Sequence, residues 1–399
     1  MSSGTWQYRY SVLTFAVIAN FSQVGARLVI SPILPDIVAG FQVSKSEVGI
    51  VLTGMWMAFA LMQYPSGIIA DRYGERRIIR ISLFLTAVCS LLLWWAPSFY
   101  LFGLAAIFLG AGAGLYFAAG TSLLTKLYKH TGQALGIHSA GAPLAGLVIP
   151  ILAVSIATRF GWRQAFLIGA ITAFGMFLLI SWRVAPTTPS RPDEPLRQQF
   201  RPAAIRHLLG RRSVVFVIVI AFICMFTYQS FVSFFPIFLI EYRAVSAETA
   251  SILFTVVFVL SAACQPLVGR LSDFTTRDLT LLATIGLLIV GFGLTLYSSG
   301  WQVLLVGLIV LGIGFAFPGV LNSLIMENFH EAEQGAGFGL TRTAFVFPGA
   351  LGNVVTGTLA DNFGWAVAFS VVMALAAVGV SILLINRILR LKLHQPAPT

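Results

Sequence analysis

The sequence predicts an all-α membrane protein with twelve transmembrane helices in two pseudo-symmetric six-helix bundles. Three observations carry this reading. The 399 residues are 58% hydrophobic and only 10% charged, whereas a soluble domain carries about 25% charged residues. The apolar residues fall in twelve continuous runs, each long enough for a helix to cross a bilayer. The two halves of the chain repeat one another at a fixed offset. A water-covered enzyme, a nucleic-acid-binding protein and a disordered chain are excluded by the shortage of charge.

The runs cover roughly 10–34, 47–69, 78–96, 99–124, 133–158, 162–184, 213–240, 247–270, 279–298, 301–326, 335–360 and 364–389. Their unbroken apolarity indicates helices, because barrel strands alternate apolar and polar residues. The 37 glycines suit helices that pack closely without a hydrophobic drive between them. No cleavable leader is expected, since the first run is full length and lacks a clear cleavage site. Cys89, Cys224 and Cys264 lie inside apolar runs and offer no disulfide framework or metal-ligand spacing.

Charge placement sets the orientation. With the N-terminus inside, 19 of the 25 Lys and Arg residues fall on the inner side and four, Lys45, Arg159, Arg163 and Arg243, on the outer side. Arg27 and Arg342 remain within the membrane. Both termini are therefore expected on the cytoplasmic side of the cell membrane. The net charge of +11 sits in short connections, so it is no nucleic-acid signal.

Residues 1–184 are expected to form the first bundle, 185–212 a Pro- and Arg-rich cytosolic linker, and 213–399 the second bundle with a short tail. The repeat joins ATRFGWRQAF (157–166) to ADNFGWAVAF (360–369), Gly67 and Asp71 to Gly269 and Asp273, Gly110 to Gly312, and Gly132 and Gly136 to Gly335 and Gly339, at offsets of 202 or 203. Several matches in one register indicate a duplicated unit, the organisation of a rocking secondary transporter.

After the second run stands Gly67-Ile-Ile-Ala-Asp71-Arg72-Tyr-Gly74-Glu-Arg76-Arg77. It resembles the G-x-x-x-D-R-x-G-R-R signature of the major facilitator superfamily, with Glu75 before the arginine pair. The resemblance, with twelve runs and two repeats, covers the whole chain. It implies a conformational latch of Gly67, Asp71, Arg72, Gly74, Arg76 and Arg77. A weaker copy holds Gly269 and Asp273. Gly67 is expected to let a neighbouring helix approach closely, and Asp71 to meet the N-terminus of another helix. No ATP-binding G-x-x-x-x-G-K-[ST] sequence occurs, so no internal ATP motor and no cofactor is expected.

Ionisable residues inside spans mark function. Asn20, Gln23, Arg27 and Ser31 share one face of the first helix. Arg27, with Pro35 eight residues on, resembles the first span of organic-phosphate and other organic-anion transporters. Arg342 lies in a segment, Gly339 to Ala344, that resembles the eleventh span of oxalate and monocarboxylate transporters, whose cation falls at Phe345. All 14 acidic residues sit at span ends or in loops, so no mid-membrane carboxylate can pair with Arg27. A carboxylate or phosphate substrate would offset the cost of the buried cations, and arginine suits such groups. The expected substrate is a small organic anion. A coupling ion is a further expected partner, the bilayer is the medium, and a monomer is the simplest assembly. His138, Tyr64, Gln229 and Asn322 complete the candidate binding residues.

The competing reading is a proton-coupled drug exporter. Gly132, Gly136, Gly141, Pro143 and Gly146 partly resemble the antiporter motif of the fifth span, but Ala142 splits its Gly-Pro pair. Ala106 also stands where that group carries an arginine. A transport-inactive sensor is a third reading. An enzyme is not expected, because no catalytic cluster or metal-ligand set appears within the runs. Lys126 and Lys129 lie opposite Glu327, Glu331 and Glu333 in the repeat and are expected to pair across the halves as an inner gate.

Overall fold

The computed structural model describes residues 3–128, 131–193, 210–329, 334–391 and 393. The described secondary structure is helical, with no strand among the described residues. The chain divides into two compact units. One comprises 1–43 and 54–201, the other 44–53 and 202–399.

The first unit contains α1 (Ser3–Leu28), α2 (Leu34–Phe41), α4 (Glu75–Trp95), α5 (Phe99–Leu127), α6 (Thr131–Ser139), α7 (Gly141–Phe160) and α8 (Leu167–Arg183), with a short 3₁₀ turn at Trp162–Phe166 before α8. The helix α3 (Lys45–Tyr73) starts in the second unit and ends in the first. In the first unit α1 packs on α5, α6, α7 and α8, while α4 packs on α5 and α8. The second unit holds α9 (Arg212–Arg243), α10 (Ala247–Phe274), α11 (Arg277–Tyr297), α12 (Trp301–Gly314), α13 (Pro318–Met326), α14 (Gln334–Gly349) and α15 (Leu351–Ile388).

Among the described residues, ten helical stretches are long and apolar enough to cross a membrane. The stretch 337–388 contains the two last runs of the sequence, divided at Gly364, whose φ of 81° breaks the helix inside α15. The first run is not among the ten: it is shared by α1, a turn and α2. The fifth run breaks at Ala140 between α6 and α7, and the tenth at Phe315–Phe317 between α12 and α13.

The repeat extends to backbone geometry. Gly161 has φ 94° and Gly364 φ 81°, at the offset of 203. Gln42 and Ala244 both end helices in the left-handed region, with φ 55° and 52°. Close packing recurs as well: a Cβ on Gly110 would lie 1.9 Å from the carbonyl oxygen of Met55, and one on Gly312 would lie 2.5 Å from Cβ of Leu260. Gly67 does not meet the expectation. Its neighbour Ala118 stands at an ordinary 3.8 Å, and a Cβ at Gly269 would meet nothing within 4 Å.

Both units bury clusters of aromatic rings. In the second unit Phe231 and Phe235 of α9 lie 4.6 Å apart, and Phe231 reaches Phe315 at 4.5 Å. Phe238 meets Phe369 at 4.9 Å. Tilted and edge-to-face ring pairs of this kind add to area burial. The first unit has its own ring cluster, in which Phe102 meets Phe41 at 5.5 Å and Phe166 at 5.7 Å, beside a second cluster that includes Ala19, Ala70, Ala119 and Ala173.

Candidate functional site

The polar face of α1 lies inside the first unit. Arg27 is nearly buried, and its Nε donates to the carbonyl of Gln23 at 3.1 Å. Its guanidinium carbon stands 4.1 Å from the ring centroid of Phe59 and 4.6 Å from that of Trp56, both on α3. Two aromatic faces therefore hold the cation in place within a span, an arrangement strengthened where water is excluded. Phe59 and Trp56 escaped the sequence reading because nothing in an apolar run distinguishes a ring that faces a cation from one that faces lipid.

Gln23 is more deeply committed to packing than the sequence suggested. Its Nε2 donates to Ser82 Oγ at 2.9 Å and its Oε1 accepts from Thr86 Oγ1 at 2.8 Å, tying α1 to α4. Ser82 in turn donates to the carbonyl of Gly112. Asn20 donates to the backbone carbonyl of His138 at 3.0 Å. His138 is fully buried, and its Nε2 lies 3.0 Å from the hydroxyl of Tyr116, which also lies 2.7 Å from the carbonyl of Ala16. A hydroxyl has one proton. Both contacts form together when Tyr116 donates to Ala16 and His138 donates through Nε2. The structure thus joins Arg27 with Gln23, and Asn20 with His138. Tyr64 is half-buried on α3.

Arg342 and Asn322 are half-buried on α14 and α13 of the second unit. Gln229 on α9 is fully buried, and neither its Oε1 nor its Nε2 has a hydrogen-bond partner.

The signature loop is well defined. Gly74 has φ 86°, a conformation that side chains resist. A Cβ there would also press on the carbonyl and hydroxyl of Thr187, at 2.8 and 2.9 Å. The start of the inter-repeat connection is seated on this loop. Thr187 Oγ1 accepts from the amide of Arg76, and the amide of Arg191 donates to the carbonyl of Asp71 at 2.9 Å. Arg72 and Arg77 flank the ring of Tyr73 at 5.5 and 5.6 Å. In the second copy Thr276 replaces the glycine and caps α11, and Asp273 pairs with Arg277 at 2.6 Å.

The inner-gate residues have partners within their own units. Lys126 Nζ lies 2.5 Å from Oε1 of Glu75, whose side chain is fully buried and also accepts from Ser122. Glu327 pairs with Arg277 at 3.0 Å. Lys126 and Glu327 thus each hold an ion pair inside their own unit, and a fully buried carboxylate such as that of Glu75 has a strong need of a cation. Lys129, Glu331 and Glu333 lie outside the described residues.

One cluster went unread in the sequence. Within the second unit Lys45 lies 3.1 Å from Glu241 and 3.7 Å from Asp361. The amide of Ser46 donates to Asp361 at 2.6 Å, and Trp365 Nε1 donates to Glu241 at 2.9 Å. The first turns of α3 are thereby fastened to α9 and α15.

The Major Facilitator Superfamily profile matches residues 16–246 and again 220–398. The chain belongs to this superfamily. Among similar proteins is a hexuronate transporter of Bacillus subtilis, 23% identical over 377 residues, covering 88% of this chain and 87% of that protein. A probable sulfoacetate transporter of Cupriavidus necator is 23% identical and covers 93% and 92%. A probable hexose phosphate transport protein of Chlamydia pneumoniae is 22% identical and covers 88% and 85%. A bacterial homologue of the human lysosomal transporter Spinster, solved in an inward-facing and occupied conformation, superposes with a TM-score of 0.81 at 17% identity, covering 98% of this chain and 99% of that one. It shares the fold. The protein is thus a multi-pass membrane transporter.

Proposed function

We propose that this transporter carries a small organic anion, a carboxylate, sulfonate or phosphate ester, by alternating access, with both termini cytoplasmic. The observation that carries the reading is Arg27. It is a nearly buried guanidinium held against Phe59 and Trp56 in a chain whose 14 acidic residues all lie at span ends or in loops. A positioned guanidinium offers paired donors to a carboxylate or phosphate. The substrates named for three relatives, hexuronate, hexose phosphate and sulfoacetate, are all anions, which supports the same class.

In this reading Arg27 contacts the anion directly. Asn20, Gln23, His138 and Tyr64 shape the surrounding polar face. Arg342, Gln229 and Asn322 are the candidate polar positions of the second unit, and Gln229 stands at the repeat offset of 202 from Arg27. Gln229 has both amide atoms available to a substrate hydroxyl or carbonyl.

The test is ligand stabilisation of the purified protein, which needs no assumed direction or coupling ion. Glucuronate, glucose 6-phosphate and sulfoacetate are compared with tetraphenylphosphonium. At 100 times its dissociation constant a ligand stabilises by about 2.7 kcal/mol. The expected result is stabilisation by one of the anions and its loss in Arg27→Gln, with Arg27→Lys intermediate. Stabilisation by the lipophilic cation alone, unchanged in Arg27→Gln, would overturn the proposal.

A further inference from the structure

We propose that the first unit carries a binding site for an anionic phospholipid at the α4–α8 groove. The ligand is the phosphodiester headgroup of a membrane lipid, held by Arg76, Arg80 and Arg183.

The groove is built by two antiparallel helix ends. Arg76 opens α4, and its Nη2 donates to the carbonyl of Ser181 in the last turn of α8, at 2.5 Å. One turn further along α4, the guanidinium of Arg80 stands 5.5 Å from the ring of Phe177. Arg183 closes α8 with its guanidinium 4.0 Å from the ring of Trp182. Arg76 and Arg80 thus lie along one seam between α4 and α8, Arg183 ends α8 two residues beyond Ser181, and Arg72 and Arg77 flank Tyr73 just before α4.

None of these five arginines has a carboxylate partner among the described residues. The adjacent acid, Glu75, is turned to Lys126. Arg76 and Arg80 are spaced i, i+4, where like charges repel. The Nε atoms of both are buried and have no hydrogen-bond partner. The N-terminus of α4 adds its own partial positive charge to the same place. An arginine that served only to set topology could extend its guanidinium into water. Here two of the guanidinium groups are partly withdrawn from water with donors unspent, which fits an anion seated among them.

The apolar surroundings favour a lipid over a free anion. Directly along the groove α4 exposes Ile81 and Phe84, and α8 exposes Leu178. Trp182 is 73% exposed at the level of the arginines. A headgroup on the arginines would lay its acyl chains along these side chains, with Trp182 at the interfacial depth that aromatic rings prefer. Basic pockets between membrane helices on the cytoplasmic side suit such headgroups, and this end of α4 is the one the charge distribution places there.

Full-length protein purified in a neutral detergent is titrated with cardiolipin, phosphatidylglycerol, phosphatidylcholine and inorganic phosphate. Bound lipid is counted by native mass spectrometry and stability is read by thermal unfolding. The double variant R80Q/R183Q removes two of the cations and leaves the signature sequence intact. R270Q/R387Q removes the same charge from the second unit. Cardiolipin or phosphatidylglycerol should remain bound and stabilise, phosphatidylcholine and phosphate should not, and R80Q/R183Q should weaken the binding roughly 30-fold. R270Q/R387Q should keep it. Equal retention of phosphatidylcholine, equal protection by phosphate, an equal loss in R270Q/R387Q, or unchanged binding in R80Q/R183Q would each overturn the proposal.

Discussion

Removing the ammonium of Lys126 tests whether the buried end of the signature loop depends on a pair inside the first unit. The carboxylate of Glu75 is fully buried while Lys126 is 37% exposed, so Lys126→Met leaves a charge that water cannot reach. Breaking a buried pair costs about 3–5 kcal/mol. Two features reduce that figure. The hydrogen bond from Ser122 remains, worth about 1.5–3 kcal/mol toward a charged acceptor, and the exposed ammonium is screened. We expect a loss of about 2 kcal/mol. Glu75→Gln/Lys126→Met removes both charges and should lose about 1 kcal/mol or less. The assay is unfolding in mixed micelles at graded SDS, read as a double-mutant cycle. A coupling between positions 75 and 126 below about 0.5 kcal/mol would refute the reasoning. The cycle with Glu327→Gln should be additive, since Glu327 is spent on Arg277.

Other outcomes follow from the same geometry. Gly110→Ala places a Cβ 1.9 Å from the Met55 carbonyl oxygen, so the backbones must part, and thermal unfolding should fall by several degrees. Gly269→Ala, which meets nothing within 4 Å, should be neutral or gain about 0.5–1 kcal/mol from helix propensity. Lys45→Met leaves Glu241 and Asp361 facing each other without their shared cation. It should cost about 0.5–1 kcal/mol in the same SDS assay, and adding Asp361→Asn should recover part of it. Tyr116→Phe removes the second hydrogen bond to the carbonyl of Ala16, which keeps its helical bond, and leaves Nε2 of His138 without its hydroxyl partner. The expected loss is about 1–3 kcal/mol, and a variant as stable as the parent would show that neither contact matters.

The signature loop shows how far the sequence reading reached and where it stopped. Its glycine, aspartate and arginines were legible as a motif, but the reason for Gly74 was not. That position is seated under Thr187, 113 residues later in the chain, and no local pattern encodes such a contact. Glu75 looked like a variant letter between motif positions and became the buried partner of Lys126. Arg27 was recognised because a cation in an apolar run is costly wherever the run folds. Its aromatic neighbours were not, because Trp56 and Phe59 are inexpensive in a span whichever way they face. Gln23, read as a cavity residue, spends its amide on Ser82 and Thr86, since polar groups in a membrane bond to whichever helix reaches them first.

The sequence alone determined the helical class, the duplication and the superfamily. Each rests on quantities that survive without coordinates: the cost of unpaired backbone in lipid, the length of an apolar run, and the register between copies. Even the left-handed glycines at 161 and 364 follow from the duplicated FGW segment. Tertiary structure alone decided the partners. It assigned Lys126 to Glu75, fastened Lys45 to Glu241 and Asp361, enclosed Arg27 between two rings, and left Arg76 and Arg80 together at one groove. Side-chain pairing depends on which helix faces meet and how closely. Helix rotation in a bilayer is set by small packing differences summed over a whole interface, which no single residue type reveals.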